Sequence, residues 1–109
     1  MDYSVNIDGQ LTAQQTEDRC EAEQAGGFKL DSVVHSTLMD GNNIRLINKA
    51  AFDLATPDLI FTNLEFSVLG ANDPDQVRTQ MKAQGWVFIC DSHIYVAGTL
   101  QRVLIFGKN

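Results

Sequence analysis

Short runs of alternating apolar and polar residues predict six β-strands along this 109-residue chain. Alternation with a period of two is typical of a half-buried strand, because successive side chains point to opposite faces of a sheet. The run from Trp86 to Cys90 is apolar at every position, so we expect this strand to be covered on both faces. The predicted strands cover residues 3–7, 28–34, 43–49, 59–69, 86–95 and 102–106.

Two segments carry the start and stop signals of helices. Thr12 is a good N-cap residue, and it predicts a helix over 13–25 that ends at a pair of glycines. The Asp73-Pro74 pair predicts a second helix, which ends at Gly85. In that helix Val77 and Met81 are expected to face inward, with Arg78, Gln80 and Lys82 facing solvent.

The element order is strand, helix, strand, strand, written twice, and the sequence itself also repeats. Residues 25–30 and 83–88 align without gaps at a shift of 58 residues, which also aligns His35 with His93. A fixed internal period is the signature of duplicated architecture. We therefore predict an α+β fold of two βαββ-like repeats, about 1–55 and 56–109, in one domain.

The repeats are expected to have pseudo-two-fold symmetry, because one half alone is too small to bury its sheet face. The predicted sheet is mainly antiparallel, with about six strands and the two helices packed on it. The alternative is a single α+β domain with two unrelated corners between helix and strand.

The second half resembles a small bacterial family, a short domain of unknown function. The residues that carry the resemblance are Lys82 to Phe88, in which the helix runs into Gly85-Trp86, and a hairpin that closes at 102–106. The first half is only a degenerate copy, with Phe28 in place of the tryptophan. The resemblance implies the fold and assigns no catalytic residue.

Composition excludes several classes of function. With 8 basic and 14 acidic residues the net charge is −6, and the basic residues are scattered, so nucleic-acid binding is not expected. The start of the chain lacks a signal peptide, and no apolar run reaches the roughly 18 residues of a membrane span. We expect a cytoplasmic protein with reduced thiols at Cys20 and Cys90, which form no motif.

The residues offer little catalytic chemistry. His35 and His93 are equivalent in the repeat, and a metal site shared with nearby carboxylates is conceivable, but the spacing typical of metal ligands is missing. Cys90 and His93 lie three apart on a predicted strand, so their side chains point to opposite faces. We therefore predict no catalytic residue, no metal and no cofactor, and the chain is more readily a binding protein than an enzyme.

A ligand site is expected at the seam between the repeats. Arg45 and Arg102 fall one residue apart in the repeat frame, and paired arginines suit an anion such as a phosphate or carboxylate. Trp86 is either a core residue or a ligand platform. The predicted ligand-binding residues are Arg45, Arg102, His35, His93 and Trp86.

Three hypotheses of function follow. The first is a small non-enzymatic binding module that holds an anionic small molecule or a partner protein at the seam. The second is a structural or regulatory interaction protein, or an inhibitor, that acts by self-association or through a sheet edge, for instance as a homodimer. The third is a small enzyme or metal-binding protein that uses His35 and His93.

Overall fold

A computed structural model of the chain describes residues 3–24, 28–36, 40–48 and 61–109. In these residues the α+β class and the order of elements are confirmed. The predicted linker at 50–58, the boundary between repeats and Gly26-Gly27 lie outside the described residues. The elements are β1 (Tyr3–Asp8), α1 (Ala13–Gln24), β2 (Phe28–Ser36), β3 (Gly41–Asn48), β4 (Asn63–Val68), α2 (Pro74–Ala83), β5 (Val87–Val96) and β6 (Thr99–Lys108).

The strands form two antiparallel three-stranded sheets with the same topology. The first sheet has the order β1-β3-β2 and the second has the order β4-β6-β5. Each sheet contains a bulge, at Asp31 in β2 and at Ile89 in β5, and these two residues are 58 positions apart. The two halves therefore share the order of elements, the order of strands and the position of the bulge.

Turns lie where the residues allow them. Ala97 and Gly98 both have positive φ, at 50° and 82°, which is the conformation that a tight two-residue hairpin requires. The hairpin therefore closes at once, and Val96 pairs with Thr99. As a result β6 begins three residues earlier than the pattern at 102–106 predicts.

The main core lies between the two sheets. Alternation along β6 sends Val103 and Ile105 into this core, whereas Leu104 and Phe106 are buried on the opposite face of the second sheet, the one that carries α2. In the first sheet, alternation along β3 likewise directs Ile44 and Leu46 into this core. The core residues of the two sheets are Ile7, Leu30, Val33, Ile44 and Leu46 with Leu64, Phe66, Ile94, Val96, Val103 and Ile105.

The two sheets meet along a seam between β2 and β5. The Ser92 hydroxyl donates to the carbonyl of Val33, and His35 Nδ1 lies 3.1 Å from the carbonyl of His93. The fully buried Asn42 donates to the Tyr95 carbonyl at 2.8 Å and accepts from the Tyr95 N–H at 2.7 Å. Side chains thus satisfy backbone groups that no neighbouring strand pairs.

The two helices do not occupy equivalent places relative to the core between the sheets. Helix α1 packs on the face of the first sheet that also meets the second sheet, and its Cys20 belongs to the shared core. Helix α2 packs on the outer face of the second sheet, where Arg78 lies over Phe88. Each helix covers the same face of its own sheet, but only the first sheet packs that face against the other sheet, so the predicted two-fold symmetry does not extend to the helices.

Helix α1 closes the edge of β4 with polar side chains. The carboxylates of Glu17 and Glu21 accept from the backbone N–H groups of Phe66 and Leu64, the second at 2.8 Å. An edge strand that is left open invites pairing with another chain. This use of α1 explains why its sequence shows only a weak apolar face, because three of its buried residues, Thr16, Glu17 and Gln24, are polar.

Changing Glu17 to glutamine is expected to stabilise the protein above neutral pH. Burial raises the pKa of Glu17 from 4.5 to about 7, against the opposing effect of its bond from the Phe66 N–H. A carboxyl with a raised pKa in the folded state contributes stability that is full below about pH 4.5 and lost as pH rises through 7. Urea unfolding at pH 8 should show Glu17→Gln more stable by about 1 to 3 kcal/mol.

The matched control for this change is Asp8→Asn, which alters the net charge equally at an exposed position outside the acidic groups that raise the pKa of Glu17, and which keeps an acceptor for the Gln10 N–H. The stability of Glu17→Gln should fall less steeply than that of the wild type between pH 5 and 8. If Glu17→Gln and Asp8→Asn shift the free energy of unfolding by the same amount at pH 8, burial of Glu17 is not the cause.

Candidate functional site

The two arginines predicted to share a site lie on different surfaces. Arg45 alternates with buried Ile44 and Leu46, so it faces away from the core on the outer face of the first sheet, 3.7 Å from Asp31. Arg102 lies on the α2 side of the second sheet. The core separates these two faces, so the guanidinium groups of Arg45 and Arg102 do not face a common site.

The two histidines come together only in part. The ring of His35 reaches the backbone of His93 and stands edge-on to the ring of Tyr95 at 6.5 Å. The side chain of His93 points the other way, because the adjacent Ile94 points into the core. Within the described ranges, no three His, Cys, Asp or Glu side chains are placed to hold a metal ion.

The cysteines are placed as unreactive thiols. Burial raises the pKa of the Cys20 thiol to about 12, and burial also raises the pKa of Cys90, despite a bond from the Val33 backbone. A thiol is nucleophilic as its thiolate, so a raised pKa removes the reactive form. Both cysteines are free thiols, as the sequence predicts.

A mostly apolar concave site lies between α2 and the first residues of β5. We refer to it as the α2 cleft. Its volume is about 480 Å³, within the range of ligand pockets, and its surface is mostly apolar. Val87 and Phe88 are 47% and 43% exposed, which is unusual for large apolar side chains at the start of a strand. The lining residues are Arg78, Lys82, Trp86, Val87, Phe88 and Phe106.

Local sequence builds one wall of the α2 cleft. Asp73 caps α2 by accepting from the Asp75 N–H at 3.0 Å, and Pro74 fits the first turn. Gly85 ends the helix with φ at 88°, a conformation that glycine adopts without strain. The sharp turn places Trp86 directly beside the end of the helix, where the backbone N–H of Trp86 donates to the Met81 carbonyl at 3.1 Å.

Cations lie over the aromatic rings of the cleft. Lys108 Nζ is 4.4 Å from the ring centre of Trp86, and the guanidinium carbon of Arg78 is 4.8 Å from that of Phe88. Such contacts are attractive because the face of an aromatic ring is negative. Phe88 in turn packs edge-on against Phe106 at 5.7 Å. The cleft is therefore an aromatic surface with a positive rim.

Asp91 organises the arginines beside the cleft. It accepts from Arg102 at 3.0 and 2.6 Å and from Arg78 at 3.1 Å. The bidentate hydrogen bonds from Arg102, with the charge of Arg78, lower the pKa of Asp91 and keep it ionised. The buried Nε of Arg78 has no hydrogen-bond partner among the described residues. Asp91 thus neutralises one charge and leaves the rim positive.

Arg78 and Lys82, which the sequence predicts to face solvent, both line the cleft, and the Arg78 side chain, which is 41% exposed, also bonds to Asp91 of the sheet. One signal was present: Arg78, Lys82 and Trp86 follow at intervals of four, which places the first two on one helix face. Of the predicted site residues, Trp86 lines the cleft.

Neither helix of the described part is long and apolar enough to cross a membrane. Comparison of the chain with protein-family models, with curated proteins and with solved structures gives no match.

Proposed function

We propose that this chain is a binding module whose α2 cleft holds an anionic group joined to an apolar or aromatic body. The observation that carries the proposal is the aromatic surface of Trp86 and Phe88, with Lys108 over Trp86, Arg78 over Phe88 and Lys82 in the lining of the cleft. An apolar body gains roughly 25 cal/mol for each Å² that it removes from water, and the cations orient its charged end.

The charge distribution of the chain supports an anionic ligand at this place. The whole chain carries −6, yet residues 61–109 contain four basic and four acidic residues. One of these acidic residues, Asp91, accepts hydrogen bonds from Arg78 and Arg102. An anion is therefore attracted locally to the cleft, while the acidic first half repels it from other surfaces.

The proposal is tested with 8-anilinonaphthalene-1-sulfonate, a fluorescent anion with an aromatic body. The wild type should bind one equivalent, with enhanced and blue-shifted emission. Phe88→Ser should weaken binding about tenfold, because it removes a large apolar surface from the cleft. Fluorescence titration under native conditions gives both affinities, and near-UV circular dichroism checks that the variant keeps its packing.

Val34→Ser is the matched control for Phe88→Ser. Val34 is also 43% exposed, but it lies on the outer face of the first sheet, away from the cleft. The control should bind the dye as the wild type does. Equal affinity in both variants, or no saturable binding to the wild type, would overturn the proposal.

A further inference from the structure

The first half of the molecule contains a filled counterpart of the α2 cleft. At the repeat shift of 58 residues, Trp86 and Phe88 correspond to Phe28 and Leu30, and Lys82 corresponds to Gln24. The bulges at Asp31 and Ile89 are separated by the same 58 residues, so the strands follow this alignment. The counterpart is the groove between α1 and the start of β2, which we term the α1 groove.

An extended segment of the chain itself, residues 61–66, occupies the α1 groove. Gln24 donates to the carbonyl of Phe61 at 2.9 Å and accepts from the N–H of Leu30 at 3.2 Å. The Phe61 side chain is only 5% exposed and lies beside Leu30. Further along, the glutamates of α1 hold the N–H groups of Leu64 and Phe66, so the segment runs antiparallel to α1.

The α2 cleft has the same construction with no described residue in that place. On this basis, and building on the proposed function, we propose that the ligand of the α2 cleft is an extended polypeptide segment of a partner protein. It would lie beside α2 as residues 61–66 lie beside α1, with a large apolar side chain against the exposed ring of Phe88. The free small anion is then a mimic of its acidic and apolar side chains.

The differences between the two grooves define the partner segment. Where the α1 groove has neutral Cys20 and Gln24, the α2 cleft has Arg78 and Lys82 at the corresponding positions. The segment should therefore carry acidic residues next to its apolar anchor, since unlike charges attract across such a site. Strand-like addition of this kind is a recurrent way of recognising peptides.

A second copy of the chain fits this site less well than another protein does. The segment 61–66 of each copy is already held in its own α1 groove by Gln24, Glu21 and Glu17. Releasing it would leave the edge of β4 and the groove unsatisfied. The occupant is for this reason assigned to a different polypeptide.

The test uses a synthetic peptide with the sequence of residues 61–68, blocked at both ends, in which Thr62→Asp and Asn63→Asp supply the acidic groups. The peptide should displace the anilinonaphthalene dye from the wild type. It should bind at least tenfold more weakly to Phe88→Ser, and as tightly to Val34→Ser as to the wild type. The unmodified peptide should bind several-fold more weakly than the acidic one.

The outcomes separate this inference from the function on which it rests. Dye that binds the wild type and responds to Phe88→Ser, but is not displaced by saturating acidic peptide, overturns the polypeptide ligand and leaves the anion site standing. Failure of the dye itself overturns the proposed function. Sedimentation that shows a concentrated wild type dimerising, and Phe88→Ser remaining monomeric, would assign the cleft to a second copy and contradict the inference.

Discussion

Replacing Asn42 by leucine is expected to lower the free energy of unfolding by about 2 to 5 kcal/mol. Asn42 is fully buried and forms two hydrogen bonds with the backbone of Tyr95, one in each direction. Leucine has a similar size but can form neither bond, so the partly buried N–H and carbonyl of Tyr95 lose their partners. Each such group costs about 1 to 3 kcal/mol.

Thermal and urea unfolding measure this effect, with Asn43→Leu as the matched control. Asn43 neighbours Asn42 in β3, but it points to the exposed face, where its bond to Asn6 competes with water. The control should change the stability by less than about 0.5 kcal/mol, whereas Asn42→Leu should lower Tm by about 10 to 25 °C. Equal effects of both variants would mean that the seam does not depend on Asn42.

Sequence patterns predicted the elements of this fold because local chemistry determines them. The N-cap at Asp73, the turn at Ala97-Gly98 and the alternation along β6 each act within a few residues of chain. A similar pair of glycine and aromatic residue, Gly27-Phe28 and Gly85-Trp86, was also visible in the sequence of both halves. These features need no knowledge of which sheet packs on which.

The arrangement of layers could not be predicted in the same way. In both halves the helix covers the same face of its own sheet, but only the first sheet packs that face against the other sheet. The decisive residues are polar: Glu17 and Gln24 bind the edge segment of the second half, and Asn42 joins the seam. From sequence, Asn42 is simply part of a turn signal, because its bond partner is 53 residues away.

The candidate site shows the same division. The repeat predicted a seam with His35 near His93, and the seam exists, but its polar groups are satisfied by backbone bonds. The cleft instead lies beside α2, where none of the described strands takes the position that β4 takes beside α1. Of the residues that line the cleft, only Trp86 was predicted from sequence as a candidate ligand platform. A tryptophan next to a glycine can be recognised without knowledge of the fold.

Charge reversal at the cleft is the second large effect that we expect. Lys82→Glu should weaken binding of the anilinonaphthalene sulfonate about threefold to tenfold at low salt, since one attraction is lost and one repulsion is gained. Arg45→Glu is the matched control, because it changes the net charge equally on the outer face of the first sheet. It should leave the affinity unchanged.

The most direct test compares this sulfonate with neutral N-phenyl-1-naphthylamine, which has the same aromatic body without the charge. Fluorescence titration of both dyes against the wild type, Lys82→Glu and Arg45→Glu gives the charge preference of the cleft itself. We expect the wild type to prefer the sulfonate, and Lys82→Glu to lose this preference while it still binds the neutral dye. A wild type that binds both dyes equally, or a preference that survives Lys82→Glu, would show that the cleft does not select an anion.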